Sequence, residues 1–197
     1  MLKIASYLLF SVVTSFHYFN EKKISQHKIY FDNNMKSKFI TGNYPLHEKI
    51  KTLLVSSNSF ANEGIIPSKF SCDGINVNPS LSIKNIPMET KSLVLIVEDP
   101  DAPLRTWIHW LVWNIPPAKL IRENSIPGEE GMNDFQKQHY GGPCPPSGNH
   151  RYFFKVYALD DLLYLNHSVT KREVEIAMNN HILAFGELIG LYKRTSK

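Results

Sequence analysis

Hydrophobic and polar positions change their rhythm near residue 51. Residues 20–50 mix lysines, polar side chains and scattered aromatics with no period, the pattern of a linker or a poorly ordered extension. From Thr52 onward, short apolar runs alternate with turn signals such as Asn62-Glu63-Gly64 and Cys72-Asp73-Gly74. Residues 53–55 begin a strand, and residues 78–83 alternate apolar with polar. Residues 92–98 are continuously apolar and β-branched up to Glu98, which predicts a central strand buried on both faces. Residues 107–115 and 152–158 read as two more long strands. A single helix is predicted after Thr170, an N-cap with Glu173 three residues on, followed by Val174, Met178 and Ile182 on one helical face. Residues 188–192 suggest a closing strand. Spaced strands, long irregular loops and one C-terminal helix predict a mainly β fold, an antiparallel β-sandwich over residues 51–197.

Composition narrows the class. A chain of 197 residues, 43% apolar and 20% charged, suffices for one ordinary domain plus an extension. The formal charge of +4 is concentrated in the first fifty residues and the Lys193–Lys197 tail, so it does not point to a nucleic-acid partner. Residues 1–15 combine a short basic start, an apolar run of about ten residues and small residues at a possible cleavage point. That resembles a weak signal peptide and is short for a membrane span. Whether the protein is cytoplasmic or exported rests on that leader, and contact with a membrane is expected to be at most peripheral. Cys72 and Cys144 lack metal-ligand spacing. They read as two separate small buried residues or as one disulfide, and their positions in the sequence do not place them within reach.

Three clusters carry candidate chemistry. Asp99-Pro100-Asp101-Ala102-Pro103 leaves the apolar strand directly. The proline holds Asp99 extended, so its carboxylate stands at a sheet end; a plain Asp-Pro turn is the alternative. In Trp107-Ile108-His109-Trp110, strand alternation puts Trp107 and His109 on one face and Ile108 and Trp110 on the other. An imidazole in so apolar a strand must be hydrogen-bonded or lie at a pocket, and Asp99 is the carboxylate expected to orient it. The third cluster is a stiff Gly/Pro loop, from Gly141-Gly142-Pro143 through Pro146, that runs into His150-Arg151-Tyr152. Glycine there would let backbone approach a ligand. His150 and Tyr152 share a face and Arg151 points away. Two imidazoles, a phenol and loop N–H groups are donors, and donors around a small concavity suit phosphate or carboxylate. Residues 123–138 read as a solvated surface loop, with a protein contact as the alternative.

Taken in order, the three clusters resemble the phosphatidylethanolamine-binding protein family, also called the Raf kinase inhibitor family. The Cys72-Asp73-Gly74 and Gly141–Pro146 pieces look like its bacterial and archaeal branch. The resemblance covers roughly residues 56–192 and leaves the first fifty outside. It implies a sandwich of two antiparallel sheets with a small anion pocket made of Asp99, Pro103, Trp107, His109, Gly142, His150 and Tyr152. It implies a non-enzymatic module that binds phosphate or a phospholipid head group, in some members an inhibitor of a kinase or protease. No cofactor or metal is expected. An acid–base hydrolase is the alternative, although Ser147 shows no activating spacing. A metal site built from Asp99, His109 and His150 is another.

Overall fold

The computed structural model describes residues 50–194. The leader and linker expected over residues 1–49 lie outside the described residues. Ten strands form two sheets, with one α-helix among the described residues. The strands are β1 (Lys51–Thr52), β2 (Leu54–Ser56), β3 (Gly64–Ile65), β4 (Leu81–Lys84), β5 (Ser92–Asp99), β6 (Trp107–Ile115), β7 (Leu120–Ile121), β8 (Glu129–Glu130), β9 (His150–Leu159) and β10 (Ile182–Tyr192). The helix, α1, is Lys171–Met178.

The larger sheet runs β1-β10-β9-β5-β6-β8, and the smaller one β2-β4-β7. The long strands pair antiparallel, as expected. The departure is at the sheet edge, where β1 and β3 both lie parallel to β10, against residues 184–185 and 190–191. The chain follows β10 in its own direction, crosses to the smaller sheet as β2, and returns as β3. Two-residue pairings suffice because Leu53 N and Ile66 N also donate to Phe185 O and Leu191 O.

Strand β5 is buried along its whole length, as its unbroken apolar run predicts. Its side chains divide by strict alternation. Leu93, Leu95 and Val97 join a core with Leu81, Ile83 and Ile121 of the smaller sheet. Val94 and Ile96 face the other way and pack with Leu163, Val169, Val174 and Met178 beneath α1. The larger sheet is therefore the middle layer, covered by a small sheet on one side and by a helix and loop on the other.

Helix α1 starts where the sequence indicates. The capping box is complete, with Thr170 N donating to Glu173 Oε2 at 2.7 Å. It ends sooner than the apolar period suggests. Ile182 is the first residue of β10, because the Asn179-Asn180 turn, with Asn180 at φ 69°, stops the helix first. The helix is pinned to the sheet by Glu98, whose carboxylate is buried between Lys155 Nζ at 2.6 Å and Lys171 Nζ at 2.5 Å. Burial pushes the Glu98 carboxyl upward, but the two ammonium groups outweigh it and hold it below its ordinary value.

Cys72 and Cys144 form a disulfide with Cα atoms 5.4 Å apart. Of the two readings open in the sequence, separate cysteines are overturned. Folding brings residues 71–76 against the loop after Gly141, with Cys72 N donating to Pro143 O at 3.1 Å. The bond closes 72 residues of chain. Loop-closure entropy on that scale corresponds to about 4 kcal/mol of stabilisation. A Cys72→Ser, Cys144→Ser double variant should lose roughly that much in urea unfolding. A loss below about 1 kcal/mol would show that the unfolded chain is not restrained by the bond.

Candidate functional site

The site residues gather where three strands of the middle sheet end on the small-sheet side. Asp99 closes β5, His109 lies near the start of β6, and His150 and Tyr152 open β9. All four are buried. Alternation along β9 buries His150 and Tyr152 and exposes Arg151, as the period of two predicts.

Strand β6 breaks that period. Val97 of β5 pairs with Trp110 and the next residue, Glu98, pairs with Ile108, so His109 is an extra residue with no partner on β5. This is a β-bulge. The expectation that Ile108 and Trp110 share a face is therefore wrong: Ile108 packs on the helix side and Trp110 on the small-sheet side. Trp107 and His109 do end up as neighbours. Both touch the ring of Phe135, with centroids 5.5 and 5.2 Å away.

Asp99 does not orient His109, contrary to the expectation. Its Oδ2 accepts from His150 Nδ1 at 2.7 Å, and its Oδ1 accepts from Asp101 N at 2.8 Å. His109 Nδ1 instead meets the Gly141 carbonyl at 2.6 Å. A carbonyl only accepts, so Nδ1 carries a proton and, in the neutral ring, Nε2 is an acceptor. Burial pushes the His109 pKa down, and the partly compensating pull of Gly141 and Asp99 does not restore it. His109 thus favours the neutral form, whereas the anion reading of the sequence treats both imidazoles as donors.

Of the four buried side-chain polar atoms without a partner among the described residues, Thr90 Oγ1 and Trp113 Nε1 lie elsewhere and two belong to this cluster. Tyr152 is 0% exposed and its Oη, although the Asp99 carboxylate and the Cys144 N–H lie near it, meets neither in full hydrogen-bond geometry; Trp107 Nε1 is buried and has no partner. Burial and the nearby Asp99 carboxylate push the Tyr152 phenol upward, so it keeps its proton. Leaving such a group unsatisfied costs about 1–3 kcal/mol. The Tyr152 ring also meets the edge of His109, 5.2 Å away.

Pro103 is exposed at the β5–β6 turn rather than packed on the cluster. Gly142 is buried, and its missing side chain serves packing. A Cβ there would lie 2.3 Å from Phe70 O and 2.5 Å from Asn76 Oδ1, and Gly142 N donates to Asn76 Oδ1 at 2.7 Å. Among the described residues no group of three His, Cys, Asp or Glu is placed to hold a metal ion. Asp99, His109 and His150 do not form one.

The residues that the sequence reading missed lie in the segment taken for a solvated loop. Asn133 is 2% exposed. Its Nδ2 donates to His109 O and His139 O, and its Oδ1 accepts from Phe135 N and Lys137 N. Asp134 accepts from Ile108 N at 2.6 Å and pairs through both oxygens with Arg105, whose guanidinium sits 5.4 Å from the Trp107 ring. The segment is thereby laced to the bulged strand and holds Phe135 against Trp107 and His109. The Asn133-Asp134 pair is a turn signal in sequence, but its partners on β6 are visible only in space. Phe135 also lines a depression of about 170 Å³ together with Gly142, Lys137, His139 and the Cys72–Cys144 disulfide. Of the seven residues expected in a pocket, it takes in Gly142 alone.

Comparison with known proteins places this geometry. Residues 56–193 match the family model described as phosphatidylethanolamine-binding protein. A UPF0098 protein of Pyrococcus abyssi is 51% identical over 150 residues, covering 70% of this chain and 84% of the relative. One from Methanothermobacter thermautotrophicus is 45% identical over 148 residues, 71% of this chain and 98% of the relative. Among solved structures, the Chlamydia trachomatis homolog CT736 superposes with a TM-score of 0.71 at 41% identity, covering 74% of this chain and 99% of its own. Escherichia coli YbcL, described as a new member of the mammalian family, gives 0.68 at 30% identity over 73% and 99%.

The depressed His109 pKa sets a pH dependence. Between its folded value and the ordinary 6.5, the unfolded chain binds more protons at this site, so stability falls as pH drops through that window. Imidazole NMR should show His109 titrating below 6.5. Urea melts should weaken on acidification from about pH 7 to 5, and less so in His109→Gln. A His109 ring that titrates above its ordinary value would contradict the burial argument.

Proposed function

The chain belongs to the phosphatidylethanolamine-binding protein family, and on that premise we propose that it is a non-enzymatic module that binds a phosphate-bearing ligand. The ligand class is a head group, a phosphorylated small molecule or a phosphorylated peptide. The observation that carries the reading is the pair of buried donors without a hydrogen bond of full geometry, Tyr152 Oη–H, whose ring meets His109, and Trp107 Nε1–H, whose ring shares Phe135 with His109. A buried donor without a partner is a place that a ligand acceptor can fill. A phosphoryl oxygen satisfies it with a charge-assisted bond.

His150 adds a ring whose Nδ1 proton is committed to Asp99, which directs Nε2 away from the carboxylate. Neutral His109 presents an acceptor, so a dianion arriving there favours protonation of Nε2 or brings its own proton. Binding is therefore coupled to proton uptake and strengthens as pH falls. The hydrolytic alternative lacks support: Ser147, the serine of the loop, is exposed, and nothing in the cluster is a poised nucleophile.

Calorimetric titration with inorganic phosphate should detect binding that weakens from about pH 6 to pH 8. In buffers of different ionisation enthalpy it should reveal proton uptake. Tyr152→Phe should weaken binding about tenfold or more, the worth of one charge-assisted bond, and His150→Ala should weaken it as well. Absence of binding at millimolar phosphate, or affinities untouched by both substitutions, would defeat the reading.

A further inference from the structure

The depression beside Phe135 lies next to the donor cluster and differs from it in chemistry. Its walls are the Phe135 ring, the backbone of Gly141 and Gly142, and the Cys72–Cys144 disulfide. The polar and titratable side chains that line it are Lys137, His139, Asn76, whose Oδ1 accepts from Gly142 N, and the buried Tyr140, whose Oη donates to Phe70 O; no carboxylate lines it. Neighbouring carboxylates are turned elsewhere. Asp73 accepts from Tyr192 Oη and Arg194 Nε, Glu130 from Trp110 Nε1, and Asp134 from Arg105 and Ile108 N. On the cluster side, both Asp99 oxygens already accept hydrogen bonds.

Phe135 is what joins the two regions. Its ring meets Trp107 and His109 and also lines the depression. It is held there by a loop whose backbone N–H groups at Phe135 and Lys137 both end on Asn133 Oδ1. An aromatic ring left 36% exposed on so heavily bonded a turn is a fixed wall of the depression.

We infer that this depression is a subsite for the organic part of the ligand, and that it takes a small, uncharged, apolar group in preference to an ammonium. The inference rests on the anion-binding reading for where the phosphate sits. An apolar group buries surface against Phe135 and the disulfide. An ammonium in the same place meets Lys137 and finds no carboxylate free to receive it. The structure thus favours a simple alkyl phosphate over phosphoethanolamine.

The test uses two ligands of nearly equal size, propyl phosphate and phosphoethanolamine, which differ in a methyl against an ammonium. Calorimetry on the full chain should give about tenfold tighter binding of propyl phosphate. That ratio should shrink in Phe135→Ala, persist in Phe135→Leu, which keeps an apolar wall, and fall toward or below one in Lys137→Glu, which supplies the missing carboxylate. Phosphoethanolamine binding as tightly as propyl phosphate in the natural chain would overturn the subsite and leave the anion reading in place. If no phosphate compound binds, the anion reading fails, and a neutral probe decides the subsite by itself. Phenol titrated by NMR should then shift the amides of Phe135, Gly142 and Cys144; unmoved amides would overturn it.

Discussion

A sheet buried on both faces leaves few places for charge, and this constraint organises the molecule. Strand β5 has no exposed side. Its two carboxylates come at its end, where alternation sends them to opposite faces. Glu98 turns toward the helix and is neutralised by Lys155 and Lys171. Asp99 turns toward the small sheet and holds His150. One strand end thereby anchors the outer helix and sets the donor cluster, and the period of two keeps the two tasks apart.

The second determinant is the extra residue in β6. Without the bulge, His109 would pair with β5 and Trp110 would follow Ile108 onto the helix side. With it, His109 is freed from the ladder toward β5 and its ring reaches the Gly141 carbonyl. The disturbed stretch of strand is repaired from outside. Asn133, Asp134 and Gly141 supply donors to or accept from the backbone of Ile108 and His109. The disulfide then holds the loop after Gly141 to residues 71–76. Strand, bulge and two loops form one unit around His109, and Phe135 is fixed in place as a consequence.

Much of this was legible in the chain. The apolar run of β5, the bounds of β6, the capping box at Thr170 and the shared face of His150 and Tyr152 follow from local periodicity, which the structure respects. The likeness of the three clusters to a known family was also readable, because those motifs are contiguous in sequence. The sequence misled where a local pattern continued past a tertiary event. The helical face extended to Ile182, but the Asn179-Asn180 turn sends that residue into β10. The alternation around His109 was regular on paper, and the bulge removed it.

The sequence by itself determined the layers of the sandwich and which side chains could meet at its end, because burial periodicity is written in consecutive residues. Only the tertiary structure decided who partners whom. Asp99 lies two residues from Asp101 but 51 from His150; Gly141 lies 32 from His109, and Cys72 lies 72 from Cys144. Hydrogen bonds and disulfides form across space between groups whose directions are set by register, and register depends on the whole sheet. For the same reason, the histidine that read as a donor became a desolvated ring that favours the neutral form, and a loop that read as solvated became the wall beside it.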